Sequence, residues 1–185
     1  MAARVLARVF RGTTIGLWGG TGWSVTAEAE NSEGRNSGLT LRPMAPSDIS
    51  EVARIETTAF STPWSEATFT SLLGRSGVEL WVAEWEGQLA AYAILWSVLD
   101  EGELANIAVR RDLRGRGIGS GLLGRILEVA EDSGIRSLYL EVRESNDLAR
   151  EMYSRRGFSE IGVRKGYYDG PREDARVLKK CLDDG

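Results

Sequence analysis

The segment Arg110-Arg111-Asp112-Leu113-Arg114-Gly115-Arg116-Gly117-Ile118-Gly119-Ser120 concentrates more chemistry than any other stretch of the chain. It lies between a β-rich run and an apolar stripe of helical period, so it reads as a strand-to-helix loop. Glycines let a backbone approach a ligand closely, and the N–H groups at a helix start, with the helix dipole, favour an anion. Arg114 and Arg116 add forked donors that match phosphate oxygens. The competing reading is a solvated basic turn, but the position immediately before a helix favours a pyrophosphate cradle. A second pattern, Gly119-Ser120-Gly121-Leu122-Leu123-Gly124 with Glu141 beyond it, formally fits a dinucleotide fingerprint. It starts too late, because nine residues separate the strand end Val109 from Gly119, and Gly121 and Gly124 fall inside the helical stripe.

The other chemistry is set by what is missing. The 185 residues include no histidine and one cysteine, Cys181. Ser-His-Asp catalysis, imidazole or Cys-pair metal sites and an intramolecular disulfide are therefore excluded, and no metal site is expected. Catalysis has to use carboxylates, Tyr, Lys, Arg or backbone groups. Cys181 reads as a buried small hydrophobe at a strand end, with no base in view to activate it. The net charge of -4 argues against a general nucleic-acid or anionic-membrane binder and suits a basic partner. No apolar run approaches the roughly 18 residues of a membrane span.

Residues 1–38 differ from the remainder. Arg4, Arg8 and Arg11 precede any acid, and Gly12 to Gly38 is rich in Gly, Ser and Thr without a core pattern. An organellar presequence, an upstream extension and a disordered tail fit this composition equally well, so the expected location is cytoplasmic, or organellar if the segment is a transit peptide. From Leu39 on, 19 Lys and Arg face 24 Asp and Glu, and residues 39–185 form the expected acidic folded domain.

Periodicity supplies the elements that must position these groups. Leu39 to Arg42 alternates as a strand, and Asp48 with Glu51 predicts a capping box opening a helix with Ile49, Val52, Ile55 and Ala59 on one face. A second helix follows Ser65, burying Phe69, Leu72 and Leu73 and stopping at Gly74. Val78 to Trp85, Gln88 to Val98 and Glu103 to Val109 read as antiparallel strands, the first two joined at Glu86-Gly87. A helix striped by Leu122, Leu123, Ile126, Leu127 and Ala130 ends before Gly134, and the strand Ser137 to Val142 follows. Asn146 to Arg156 is a helix with Leu148, Ala149 and Met152 inward, stopped by Gly157, and strands Phe158 to Arg164 and Ala175 to Leu182 complete the order βααβββαβαββ. The class is α/β (α+β), with no internal repeat.

Arg114-x-x-Gly117-x-Gly119 after the strand Asn106-Ile107-Ala108-Val109 resembles the acetyl-CoA motif (Q/R-x-x-G-x-G/A) of the GNAT acetyltransferase superfamily. Pro63-Trp64-Ser65-Glu66, Leu140-Glu141-Val142-Arg143-Glu144-Ser145-Asn146, Ala149-Arg150-Glu151-Met152-Tyr153 before Gly157-Phe158, and Arg164-Lys165-Gly166-Tyr167-Tyr168 before Glu173-Asp174-Ala175 resemble its ribosomal protein alanine N-acetyltransferase (RimI-like) branch. The resemblance spans residues 39 to 182 and implies a mixed central sheet with antiparallel N-terminal strands and a βαβα half that binds acetyl-CoA. It also implies transfer of acetyl to a protein N terminus, in the best-known case the alanine of small-subunit ribosomal protein eighteen. By position, Ile107, Ala108 and Val109 would meet the acetyl-pantetheine arm through backbone groups. Gly115, Arg116, Gly117, Ile118, Gly119 and Ser120 would hold the pyrophosphate, Asn146 would touch the cofactor, Glu141 would be the general base and Tyr153 the general acid.

The residues themselves leave alternatives open. Glu141 alone reads as a surface acid in an alternating strand, Tyr153 and Met152 as helix packing, and Asn146 as a helix N-cap. Tyr167, Tyr168 and Trp64 are expected to wall a substrate groove, with Glu66, Glu103, Glu173 and Asp174 attracting a basic peptide. Rival functions are a lysine or small-amine acetyltransferase of the same fold and a non-catalytic acyl-CoA-binding module. A ribosomal protein or another protein N terminus is the expected partner, with no direct nucleic-acid contact, no membrane, and a monomer or weak oligomer.

Overall fold

The computed structural model describes residues 38–182. The expected extension, through residue 37, and the last three residues of the expected 39–185 domain lie outside the described residues. The strands are β1 (Leu39–Pro43), β2 (Val78–Trp85), β3 (Gln88–Val98), β4 (Glu101–Val109), β5 (Ser137–Arg143), β6 (Ser159–Asp169) and β7 (Arg172–Cys181). The helices are α1 (Ile49–Ala59) and α2 (Glu66–Leu72) between β1 and β2, α3 (Ile118–Asp132) between β4 and β5, and α4 (Asp147–Arg155) between β5 and β6. The element order is the one read from periodicity.

All seven strands form one sheet in the order β1-β2-β3-β4-β5-β7-β6, antiparallel throughout except for the parallel pair β4 and β5. Each face carries its own core. On one, Leu122, Leu123, Ile126 and Ala130 of α3 pack against Ala83, Ala91, Leu95, Leu138 and Leu140. On the other, Val52 and Ile55 of α1 and Phe69 and Leu72 of α2 pack against Leu80, Val82, Tyr92 and Ile94. Such continuously buried strands as β3 are what a two-sided sheet requires.

Several local expectations are corrected. Asp48 does not cap α1 through its side chain: its carboxylate accepts from the Ala45 N–H at 2.7 Å and from Arg42 at 2.6 and 2.9 Å, closing a 3-10 turn over Pro46–Asp48 ahead of the helix. Leu148, expected inward, is 84% exposed in the first turn of α4, while Ala149 and Met152 do pack against the core. Cys181 is exposed, because it follows the last buried position of β7. β6 runs on to Asp169 and β7 starts at Arg172, so Tyr167 and Tyr168 are strand residues; β4 starts at Glu101. Among the described residues no helix is long and apolar enough to cross a membrane.

One buried carboxylate joins elements distant in sequence. Glu56 of α1, 1% exposed, accepts from the Trp64 N–H at 3.0 Å, from Asn106 Nδ2 at 3.3 Å and from the Tyr92 hydroxyl. Burial pushes its pKa up and the three donors oppose that shift. Removing the carboxylate strands buried donors, so Glu56→Ala is expected to cost about 3 kcal/mol, and Glu56→Gln less, in urea unfolding of the full chain.

Candidate active site

The site begins where two strands part. β4 and β5 pair only at Glu101–Ser137, Gly102–Leu138 and Glu103–Tyr139. A bulge accompanies the separation: Leu95 opposes Leu104 and Ile94 opposes Asn106, leaving Ala105 as the extra residue. Leu104 therefore packs into the α3-side core, whereas Ala105 packs against the opposite core and Asn106 reaches Glu56 there. Ile107 and Val109 return to the α3 side and Ala108 is buried on the other. Beyond Glu103 no strand ladders with the β5-facing edge of β4 among the described residues. Those backbone groups need other partners, and the Val109 carbonyl has one in Arg114 Nε at 3.1 Å.

The cradle follows directly. Gly115 at φ 78° and Gly117 at φ 82° are left-handed, and a Cβ at either would meet nothing within 4 Å, so conformation rather than crowding demands glycine. Gly117 is the N-cap of α3, buried Ile118 anchors the first turn, and the first backbone N–H groups face outward without intrahelical partners. A Cβ on Gly119 would lie 3.2 Å from Val109 Cγ2 and 3.8 Å from Met152 Sδ, so the start of α3, the end of β4 and helix α4 meet at this residue.

The arginines divide their labour. Arg110 is held by Asp112 at 2.9 Å and by Gln88, and Arg114 spends its Nε on Val109. Arg116 is exposed and makes no hydrogen bond or ion pair among the described residues; its charge acts on nearby Asp112, and its guanidinium donors remain open to an anion. Ser120 already accepts from Arg156 through its carbonyl at 2.9 Å and its hydroxyl at 3.2 Å. Gly121 and Gly124 answer to packing: added Cβ atoms would lie 2.8 Å from Leu39 Cδ2 and 2.9 Å from Arg156 Nη1. The dinucleotide fingerprint is thus a coincidence of helix packing. Asn146 caps α4, accepting from the Ala149 N–H at 3.3 Å, and is exposed.

On the face away from α3 lie Glu103, Glu141 and Arg164, because Leu138, Leu140 and Val142 of β5 point into the α3-side core. Glu141 Oε1 sits 3.3 Å from Arg164 Nε; burial raises the carboxyl's pKa and Arg164 opposes the rise. Glu103 is pushed up to about 7, first by burial and then by Glu141, against Arg164. Alternation shows neither effect, since it cannot show which face of β4 meets which face of β5. Tyr153 of α4 is buried, edge-on to Phe158 at 5.7 Å; burial and the neighbouring Tyr168 phenol raise its pKa, so it stays a neutral donor.

Aromatic rings line the surroundings. Trp64 stacks on Trp96 at 5.8 Å, and Tyr167 meets Tyr168 at 5.0 Å. Arg143 covers the Tyr168 ring at 4.1 Å and bonds Gly170 O at 3.0 Å and Ser61 Oγ at 3.2 Å, fastening the β6–β7 hairpin to the α1–α2 loop. Glu173 and Asp174 are committed within this framework, to Arg143 with the Ser145 N–H and to Lys165 with the Gly166 N–H, which holds both pKa values down. They are fasteners of the hairpin rather than free acids, while Glu66 is exposed in the first turn of α2.

The sequence pattern of the acetyltransferase (GNAT) family matches residues 49–158, from the first residue of α1 to the residue before β6. The chain belongs to the GNAT acetyltransferase family. Ribosomal protein bS18-alanine N-acetyltransferase of Escherichia coli is 39% identical over 142 residues, covering 75% of this chain and 95% of that protein. The Haemophilus influenzae protein of the same name is 39% identical over 134 residues, covering 71% and 90%. The crystal structure of the E. coli ribosomal-protein-alanine N-acetyltransferase superposes with a TM-score of 0.73 at 36% identity, over 80% of this chain and 96% of that one. The mixed sheet described above is the GNAT fold, and the chain is an acyltransferase by family.

In this GNAT chain the left-handed N-cap Gly117 resists a side chain through its backbone conformation alone. Gly117→Val strains the turn by about 2 kcal/mol. The expected outcome is roughly thirtyfold weaker acetyl-CoA binding by isothermal titration, with thermal unfolding little changed because the loop is exposed.

Proposed function

We propose that this chain is a protein Nα-acetyltransferase that moves acetyl from acetyl-CoA to the N-terminal alanine of small-subunit ribosomal protein bS18, with residues 39–185 as its catalytic domain. The relatives that carry this name cover most of the described fold. The observation that carries the mechanism is the convergence at Gly119: the cradle, the unladdered edge of β4 and the helix bearing Tyr153 meet there.

The residues fit acetyl-CoA. Gly115, Arg116, Gly117, Ile118, Gly119 and Ser120 present first-turn N–H groups and one free guanidinium to a pyrophosphate. Ser120 takes part through its N–H, its other polar atoms being engaged by Arg156. The β4 edge at Ile107, Ala108 and Val109 offers backbone groups to an amide-bearing arm, as in strand addition. Asn146 lies at the N-terminus of α4 as a further cofactor contact. Bound there, acetyl-CoA supplies an acetyl group already activated as a thioester, so neither a side-chain nucleophile nor a metal is required.

The protein's own tasks are then orientation and proton movement. The acceptor amine must be neutral to attack, and Glu141, with its pKa raised by burial, takes a proton from it directly or through one water. Tyr153 donates to the departing sulfur; its raised pKa keeps the phenol protonated across the working range. Trp64, Tyr167 and Tyr168 wall the groove that admits the peptide. A ribosomal acceptor supports a cytoplasmic location, or an organellar one if residues 1–38 are a transit peptide.

Incubation with acetyl-CoA and an Ala-initiated bS18 peptide is expected to release free thiol and add one acetyl group at the N terminus by mass spectrometry. Equal acetylation of an N-terminally blocked peptide, or of free small amines, would move the assignment to a lysine or small-amine acceptor, and binding without turnover would make the chain a sensor. Glu141→Gln and Tyr153→Phe are each expected to lower kcat/KM about a hundredfold or more, the scale of general acid–base assistance. Because the Glu141 carboxyl loses its proton only above the ordinary range, it adds to the acid-side rise of wild-type kcat/KM with pH, and in Glu141→Gln only the part of that rise set by the acceptor amine is expected to remain.

A further inference from the structure

A base and a thioester serve any amine, so the mechanism above does not yet distinguish a chain end from a lysine side chain. We propose that Arg164 reads the chain end: its guanidinium N–H groups donate to the carbonyl oxygen of the acceptor's first residue while Glu141 accepts from the adjacent amine. This rests on the Nα-acetyltransferase reading and on the role given to Glu141.

Three strands place the guanidinium. Arg164 of β6 is in register with Ala175 of β7, and Ala175 is in register with Arg143 of β5, two residues beyond Glu141 on the same face. Ala175 is buried, and its single methyl group leaves the long Arg164 side chain room to cross β7 and bring Nε to 3.3 Å from Glu141 Oε1. Beyond Arg164 three residues of β6 oppose the single Asp174, which fastens this bulge through Lys165 Nζ at 2.6 Å and the Gly166 N–H at 2.8 Å. A bulge re-aims the side chains it carries, and here the Tyr167 ring lies 5.6 Å from the Arg164 guanidinium, within cation–π reach.

The two arginines that flank Ala175 differ in the donors they have left. Arg143 is committed to Glu173 at 3.1 Å, to Gly170 O at 3.0 Å and to Ser61 Oγ at 3.2 Å. Arg164 is ion-paired with Glu141 but makes no hydrogen bond among the described residues, and its side chain is 38% exposed. A guanidinium carries five N–H donors in a rigid fork, so Arg164 presents open donors beside a carboxylate. A peptide chain end has the complementary pattern, because its amine nitrogen and the carbonyl oxygen of the same residue lie about 3 Å apart, one donating and the other accepting. Docked on the pair, the amine meets Glu141 and the carbonyl meets Arg164, which fixes the direction from which the nitrogen approaches the thioester. A lysine side chain brings the amine without the carbonyl and loses half of this contact.

The test is a cycle of two enzymes and two acceptors. One acceptor is the Ala-initiated peptide; the other carries a 2-aminopropyl ether in place of the first residue, keeping the amine and the methyl group without the carbonyl. Arg164→Gln is expected to lower kcat/KM about thirtyfold with the peptide, the scale of a hydrogen bond to a charged group, and no more than about threefold with the ether. The two acceptors differ in amine basicity, but each loss compares the two enzymes on one acceptor, so that difference cancels. Arg164→Lys keeps the charge beside Glu141 without the fork and must show the same dependence on the carbonyl. Unchanged acetyl-CoA affinity by isothermal titration verifies that both variants are folded. Equal losses with the two acceptors confine Arg164 to holding Glu141 and overturn the proposal. Wild-type enzyme that acetylates the lysine of an N-terminally blocked peptide as fast as a free chain end overturns instead the reading beneath it.

Discussion

Everything in this molecule that bears on chemistry depends on two parallel strands ceasing to pair. A sheet normally satisfies its backbone N–H and C=O groups by continuing the ladder, yet β4 and β5 stop after Glu103 and Tyr139. The bulge at Ala105 redirects β4 at the same place, so the strand leaves with an unladdered edge and with side chains redistributed between the two cores. The rest of the sheet has to hold the strands apart. β7 completes the other edge of β5 over its full length, and β3 completes the other edge of β4, so neither strand can close the gap without abandoning a longer ladder.

The electrostatics of the site follow from this geometry. Carboxylates at the point of separation are shielded by the sheet and by aromatic rings, which raises the pKa values of Glu141 and Glu103, while Arg164 keeps the former ion-paired. Elsewhere acids are neutralised by design of the frame: Glu173 and Asp174 are bound to cations and backbone donors and remain charged. The contrast separates carboxylates that hold the structure from those able to exchange a proton. Glu56 is a third type, fully buried and saturated with donors, linking the Trp64 loop to Asn106 on the strand that borders the opening.

Much of this was legible in the chain. Strands β2 and β3 carry their own boundaries, because apolar runs are broken by Glu86-Gly87, where both residues take positive φ. The cradle was legible because Gly115 and Gly117 are needed for backbone reasons that a local pattern records. Leu148 and Cys181 misled because a helical stripe and a strand end state a period, not the depth of the neighbouring surface. Asp48 misled because Arg42, brought across by β1, competes for its carboxylate.

By itself the sequence determined the element order, the absence of any histidine, Cys-pair or intramolecular disulfide route, and the glycine-arginine loop before a helix, since all of these are properties of residue type and local spacing. Only the tertiary structure decided which acids share a space. Glu103 and Glu141 stand 38 positions apart in the chain, and their coupling exists because a parallel pairing ends between them. Glu173 and Asp174 look no different from them in the sequence, but the hairpin supplies each with a cation. Proton affinity depends on burial and on the nearest opposite charge, and both are set by contacts across the sheet that no local pattern encodes.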